Sequence, residues 1–195
     1  MLPTSQQTIG PFFPKGYFAA TDNDLTRVSP DAAPSTAGQV VLLRGTVSRP
    51  GTDPAGTPCI NAILECWQAD AAGRFAAQDP AADPAFLGWG RTFTDAEGHF
   101  EFRTLLPGGF TDPLGTRAPH ANLTVMGAGL MHRVLTTVFF PAPPSALAAD
   151  PVLHALPQAL RPLLMAREEA PEGGLRVFRF DIRLRGDGET PFFDL

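Results

Sequence analysis

Tyrosine is nearly absent from this sequence: Tyr17 stands alone against fifteen phenylalanines, so almost none of its aromatic rings carries an oxygen that could ionise. Cysteine is scarce as well. Cys59 and Cys66 are the only two, and their spacing matches neither a zinc knuckle nor a redox CxxC pair. Cys66 alternates with apolar neighbours and reads as a buried free thiol. Basic residues form no block and the formal net charge is -5, which argues against a nucleic-acid or anionic-membrane partner. No apolar run approaches the length of a membrane span. The stretch Met1-Leu-Pro-Thr-Ser-Gln-Gln-Thr8 lacks the basic and apolar regions of a signal peptide. The expectation is a soluble, reduced, cytoplasmic protein.

Catalytic signatures are missing too. His99, His120, His132 and His154 form no HxH, HxxH or HExxH pair, so a zinc site or a facial-triad iron site has no support. No GxSxG elbow, Walker A loop or GxGxxG occurs, which removes the hydrolase, nucleotide and dinucleotide classes. His99 falls in the polar phase of an expected strand and His154 in a Pro-broken segment, both facing solvent. His120 follows Arg117-Ala-Pro and opens a strand. Taken alone, it is more readily a capping or structural histidine than a functional one.

What the chain does have is punctuation: 21 Pro and 19 Gly spread over 195 residues, a pattern of many turns and short elements. Strands are expected at 40–47, 62–68, 99–104, 121–126, 135–140 and 177–185, from β-branched runs and period-two alternation. In the last of these Phe178, Phe180, Ile182 and Leu184 would share one face. Helix is expected only within 150–169. There Asp150-Pro151 makes a good N-cap and first position, and Pro157 and Pro162 cut the element short. Residues 1–39 hold Phe12, Phe13, Tyr17 and Phe18 among prolines and polar residues, an arm whose rings need a partner surface. The fold class is all-β: a β-sandwich of mostly antiparallel strands with an extended N-terminal arm and a short Pro-broken helical insert. It would form one domain over 1–195, arm 1–39 and core 40–195.

Four stretches carry a resemblance. They are Pro3-Thr-Ser-Gln-Gln-Thr-Ile-Gly-Pro-Phe-Phe13, Glu65-Cys-Trp-Gln-Ala-Asp70, Gly90-Arg-Thr-Phe-Thr-Asp-Ala-Glu-Gly98, and the C-terminal run from Phe178-Arg-Phe-Asp-Ile through Gly188-Glu-Thr-Pro-Phe-Phe-Asp194. Together they are similar to subunits of the intradiol ring-cleaving dioxygenases, the last stretch to the α-type subunit. The resemblance implies a hetero-oligomer in which a catalytic β-type subunit holds Fe(III) with two tyrosinates and two histidines. At the matching positions this chain has Phe75, Phe110, His120 and Asn122, with Arg117 just ahead of the histidine. A phenyl ring offers no oxygen to a metal, and one tyrosine cannot build a bis-tyrosinate site. Phe75 and Phe110 then read as core packing, with Arg117, His120 and Asn122 as remnants hydrogen-bonded to one another.

The implied role is architectural. This chain would carry no cofactor, and Fe(III) would sit on the partner β subunit. Heterodimers would join into a higher oligomer that cleaves an aromatic acid, protocatechuate, with O2. Residues of the arm, Thr8, Gly10, Pro11 and Phe12, are the ones expected to reach the partner's substrate site. The arm could equally serve only to stitch subunits together. The family places an arginine near the substrate carboxylate on the strand after the histidines. Here that position falls at Gly127-Ala-Gly129, and the nearest basic residue is Arg133. Two rivals stay open: a free-standing module that binds an aromatic acid in the degenerate pocket, and a self-sufficient enzyme built on Arg117, His120 and nearby carboxylates.

Overall fold

The computed structural model describes residues 16, 18–52, 56–76, 78–127, 130 and 132–193. Strand β1 (Val40–Arg49) alternates buried and half-exposed residues along its length, as expected of a strand with one face on the core. It is the centre of one sheet. Antiparallel β5 (His99–Leu105) pairs with most of it, and β2 (Thr57–Pro58) with its last two residues. On the other side run β11 (Leu175–Arg179) and β12 (Ile182–Arg183), both parallel to β1, with β10 (Arg167–Glu172) antiparallel to β11 at the edge.

The second sheet is a four-stranded antiparallel array in the order β4 (Trp89–Phe93), β3 (Ile63–Gln68), β8 (His120–Met126), β9 (Val134–Phe139). Between the sheets Val41, Leu43 and Phe102 face Leu64, Cys66 and Leu123, all fully buried in one apolar cluster. The sandwich is thus present as expected. The thiol of Cys66 is buried there, and desolvation pushes it up to about 12. A small hairpin, β6 (Phe110–Asp112) and β7 (Gly115–Arg117), stands apart from both sheets. None of the described helices is long and apolar enough to cross a membrane.

Two expectations need correction. The strand expected over 177–185 is two strands, because the chain steps around β1 at Gly45. A Cβ there would lie 1.8 Å from the Phe180 carbonyl oxygen. Asp181, in the gap, turns its carboxylate onto the Thr46 amide at 3.0 Å and hydroxyl at 2.9 Å. The helical insert begins earlier than 150, with α1 (Pro144–Ala149), then α2 (Pro151–Ala155) and a 3-10 turn (Arg161–Leu164). Its expected end, 167–169, is the start of β10. Within the described part of 1–39, Leu25 is fully buried in the main cluster, and its amide donates to the Arg103 carbonyl at 2.8 Å. That stretch is therefore fastened to this chain's own sandwich.

Candidate functional site

The end of β3 sets up the site. Alternation sends Gln68 inward and Trp67 outward. Gln68 Nε2 donates to the Leu105 carbonyl at 2.8 Å, and its Oε1 accepts from Thr104 Oγ1 at 2.9 Å. The buried amide therefore bridges the two sheets with its polar atoms satisfied. Trp67 is left 41% exposed on the outer face. Asp70 follows, and its carboxylate accepts from the amides of Ala72, Arg74 and Asp83 at 2.8, 2.9 and 3.0 Å. Burial opposes its ionisation. The Arg74, Asp83 and Ala72 amides and the Arg74 guanidinium outweigh that and hold the carboxyl below its ordinary range.

This turn presses on the loop before β6. Gly73 has φ +78°, and a Cβ on it would sit 2.1 Å from the Gly109 carbonyl oxygen. Only glycine accepts both conditions. The close approach brings Phe75 edge-on to Phe110, with centroids 5.1 Å apart. Phe75 stacks on Trp67 at 4.4 Å. Neither phenylalanine belongs to an apolar core cluster, and both are half-exposed. The expectation of core packing is corrected: the rings form a shelf beneath an exposed indole.

Arg117, at the end of β7, fastens the hairpin to the helical insert. Its Nε donates to Asp150 Oδ2 at 3.1 Å and its Nη1 to Asp112 Oδ2 at 3.1 Å. Asp150 is fully buried. Its other oxygen caps α2 by accepting from Val152 and Leu153, and the Ala118 amide completes its set at 2.9 Å.

His120 is 3% exposed and lies between Phe110 and Phe139, at centroid distances of 5.3 and 5.5 Å. Its Nδ1 is 2.7 Å from the Ala118 carbonyl oxygen. That oxygen can only accept, so Nδ1 carries the proton. Burial pushes the imidazole below its ordinary range, and the Arg117 charge adds to the effect against the Ala118 hydrogen bond. Asn122, two residues on, accepts from Thr137 Oγ1 at 2.8 Å. The hydrogen bonds expected among Arg117, His120 and Asn122 are thus replaced: each side chain is tied to a different element.

The residues gathered here form a continuous series from surface to interior, Trp67, Phe75, Phe110, His120 and Phe139. A ferric ion of the kind implied by the resemblance would need two phenolates and two imidazoles. Phe75 and Phe110 supply no donor atom, Asn122 is engaged with Thr137, and one imidazole remains. These residues do not fit that ion. Elsewhere, exposed Asp95, Glu97 and His99 bring one ligand atom each within 4.8 Å of one another.

Arg133 is exposed, immediately before β9. His120 pairs with Phe139 at the far end of that strand, six residues away or about 20 Å. The two are therefore not parts of one site within this chain. Thr8, Gly10, Pro11 and Phe12 lie outside the described residues, as does Ala128. Sequence reasoning missed Trp67, though its outward phase in β3 was readable. It identified Asp150 as a cap without its link to Arg117, which no spacing reveals.

A protein-family model described as dioxygenase matches residues 8–186. The chain is 40% identical over 200 residues to the protocatechuate 3,4-dioxygenase alpha chain of Burkholderia cepacia, covering 98% of this chain and 97% of that one. This chain belongs to the intradiol dioxygenase family. Within the family it is also 36% identical to the Burkholderia cepacia protocatechuate 3,4-dioxygenase beta chain, over 87% of this chain and 74% of that one. The fold matches the structure of catechol 1,2-dioxygenase from an Acinetobacter species with a TM-score of 0.62 at 22% identity, over 88% of this chain and 60% of that one. This chain and that catechol 1,2-dioxygenase therefore share a fold. The match to the α chain runs end to end.

Proposed function

We propose that this chain is the non-iron-binding α-type subunit of a protocatechuate 3,4-dioxygenase. Its β-type partner would supply the Fe(III), the tyrosinates and the histidines. The complete enzyme would add both atoms of O2 to protocatechuate and open the ring between the two hydroxyl-bearing carbons, giving 3-carboxy-cis,cis-muconate. The observation that carries this reading is the donor set: at the four positions Phe75, Phe110, His120 and Asn122, two are phenyl rings, one is an amide held by Thr137, and one is an imidazole. End-to-end identity to an α chain supports it.

In this reading the chain contributes architecture and one wall of the partner's substrate pocket. Thr8, Gly10, Pro11 and Phe12 reach across from the arm. Gly10 permits close backbone approach to an aromatic acid. Arg133 has no ion pair among the described residues, so its guanidinium is available to meet a carboxylate of the assembled complex. The chain acts as one domain over 1–195, in the cytoplasm, within a higher oligomer of heterodimers. A second reading, a free-standing module for an aromatic acid, draws on the exposed Trp67 and Phe75 stack, on which a ring could lie.

Co-expression with a β-type partner tests the first reading. The expected result is a coloured complex that oxidises protocatechuate, with iron in proportion to the partner and none on this chain purified alone. A chain that stays alone in the presence of the partner, or takes up iron unaided, overturns it.

A further inference from the structure

At the opposite end of the sandwich from the aromatic series, a cleft of about 260 Å³ opens among Arg49, Cys59, Ile60, Ala62, Leu130 and Leu184. It lies at the start of β3 and the aromatic series at its end, so the two are about 20 Å apart. One wall is held rigidly. Asn61 takes the left-handed conformation at φ +56°, and its amide donates to the Thr94 carbonyl at 3.1 Å. Thr94 Oγ1 donates to the Cys59 carbonyl and accepts from the Ala62 amide at 2.8 Å. This fixed turn presents Ile60 to solvent, 55% exposed. The floor is apolar, and the single charged group at the rim is Arg49, whose guanidinium has no hydrogen bond or ion pair among the described residues.

The contrast with the larger groove of about 480 Å³ is informative. That groove also holds two arginines, but Arg44 is tied to Glu169 and Glu172 and Arg179 to Asp181. A ligand there would have to displace paired carboxylates. At Arg49 nothing is displaced. An unpaired guanidinium beside an apolar floor selects a carboxylate with an apolar body, because the planar fork matches both carboxylate oxygens. The volume is just under the usual range for ligand pockets, about 300–1,000 Å³, and limits that body to a single ring.

We propose that this cleft is a binding site for a small one-ring carboxylate, its ring against Ile60, Leu130 and Leu184 and its carboxylate on Arg49. For a ligand of benzoate's size a dissociation constant on the order of 1 mM follows. The site does not depend on the metal chemistry of any partner.

The chain carries its own probe. Cys66 is fully buried, and Cys59 is the half-buried thiol lining the cleft. Desolvation raises the Cys59 thiol, against the opposing effect of the Arg49 charge, so alkylation is run at alkaline pH. The full chain, in whatever assembly it purifies, is treated with iodoacetamide and the Cys59 peptide is followed by mass spectrometry. Benzoate at about ten times its dissociation constant should slow labelling about tenfold. Benzamide, which lacks the charge, should protect far less. Arg49→Gln should raise the benzoate concentration needed for half-protection by about tenfold or more. Labelling that benzoate does not slow, equal protection by benzamide, or unchanged protection in Arg49→Gln each overturns the proposal. So does a Cys59 that is unreactive in the assembled protein, since the cleft would then be covered by another chain.

Discussion

Phe75 meets Phe110 edge-on, with ring planes at 85° and centroids 5.1 Å apart. Quadrupolar attraction favours that arrangement, and it holds together two positions that the resemblance assigns to metal-binding phenolates. The structure therefore has a use for rings at these places without a use for oxygen.

If these are the ligand positions, donors must be restored together. Phe75→Tyr or Phe110→Tyr alone adds a single phenol beside His120, too few donors for a ferric ion, and the chain should stay colourless. Phe75→Tyr, Phe110→Tyr and Asn122→His combined should take up iron and develop visible absorption. Metal analysis and an absorption spectrum after incubation with iron decide it. A colourless, iron-free triple variant that is still folded would show that the four positions do not converge.

Asp150 is the point where hairpin, helix and sheet meet. Asp150→Ala removes the α2 cap and breaks the buried half of the Arg117 ion pairing, leaving Arg117 with Asp112 alone. The cost should be about 3–5 kcal/mol, the range for breaking a buried ion pair, seen as a lower urea midpoint. A loss below about 1 kcal/mol, the value of an exposed pair, would mean that water replaces the carboxylate.

His120 sets a pH dependence. Its folded-state pKa lies below the unfolded value, so the unfolded chain binds the proton first. The stability this contributes is present above the unfolded value, about 6.5, and is lost as pH falls from there through the folded value. The Asp70 carboxyl, also depressed, acts by the same sign in a separate and more acidic window. His120→Phe should therefore remove the stability change that sets in as pH falls below about 6.5, while leaving the more acidic limb in place. Unfolding curves over that range provide the check, and an unaltered slope in His120→Phe would exclude the histidine.

Gly73→Ala tests the contact between the two loops. The substitution puts a Cβ against the Gly109 carbonyl at a left-handed φ. Strain and overpacking together should cost about 3 kcal/mol. Because the clash lies between the loops carrying Phe75 and Phe110, the near-ultraviolet circular dichroism of Trp67 should change with it. A spectrum and a melting temperature unchanged from the parent chain would refute this account.

Much of the fold was legible because alternation is strong where one face is buried. β5 and β8 were readable this way, and β1, β3 and β9 from their apolar, β-branched runs. β4 was not, since Gly90 interrupts its pattern. The gap exists for tertiary reasons, because a Cβ at Gly90 would sit 2.5 Å from Leu25 Cδ1. The start of β10 was read as the tail of a helical segment because Arg167, Glu168 and Glu169 favour helix locally. Pairing with β11 overrides that preference. At the site, the residue types could be read from the sequence, and their exposure could not. Nothing in the spacing shows that His120 is satisfied by a carbonyl two residues back while Asn122 turns to the next strand.

The scarcity of tyrosine has an optical consequence. Trp67 and Trp89 are cross-strand partners on β3 and β4, and with Tyr17 the lone phenol in the sequence these two indoles supply nearly all of the chain's ultraviolet emission. As directly opposed residues both stand on one face, with Trp67 stacked on the Phe75 ring. Intrinsic fluorescence is thus a local reading of that face. A ring laid on Trp67 would quench it, and a partner that covered it would shift it to the blue, with no label attached.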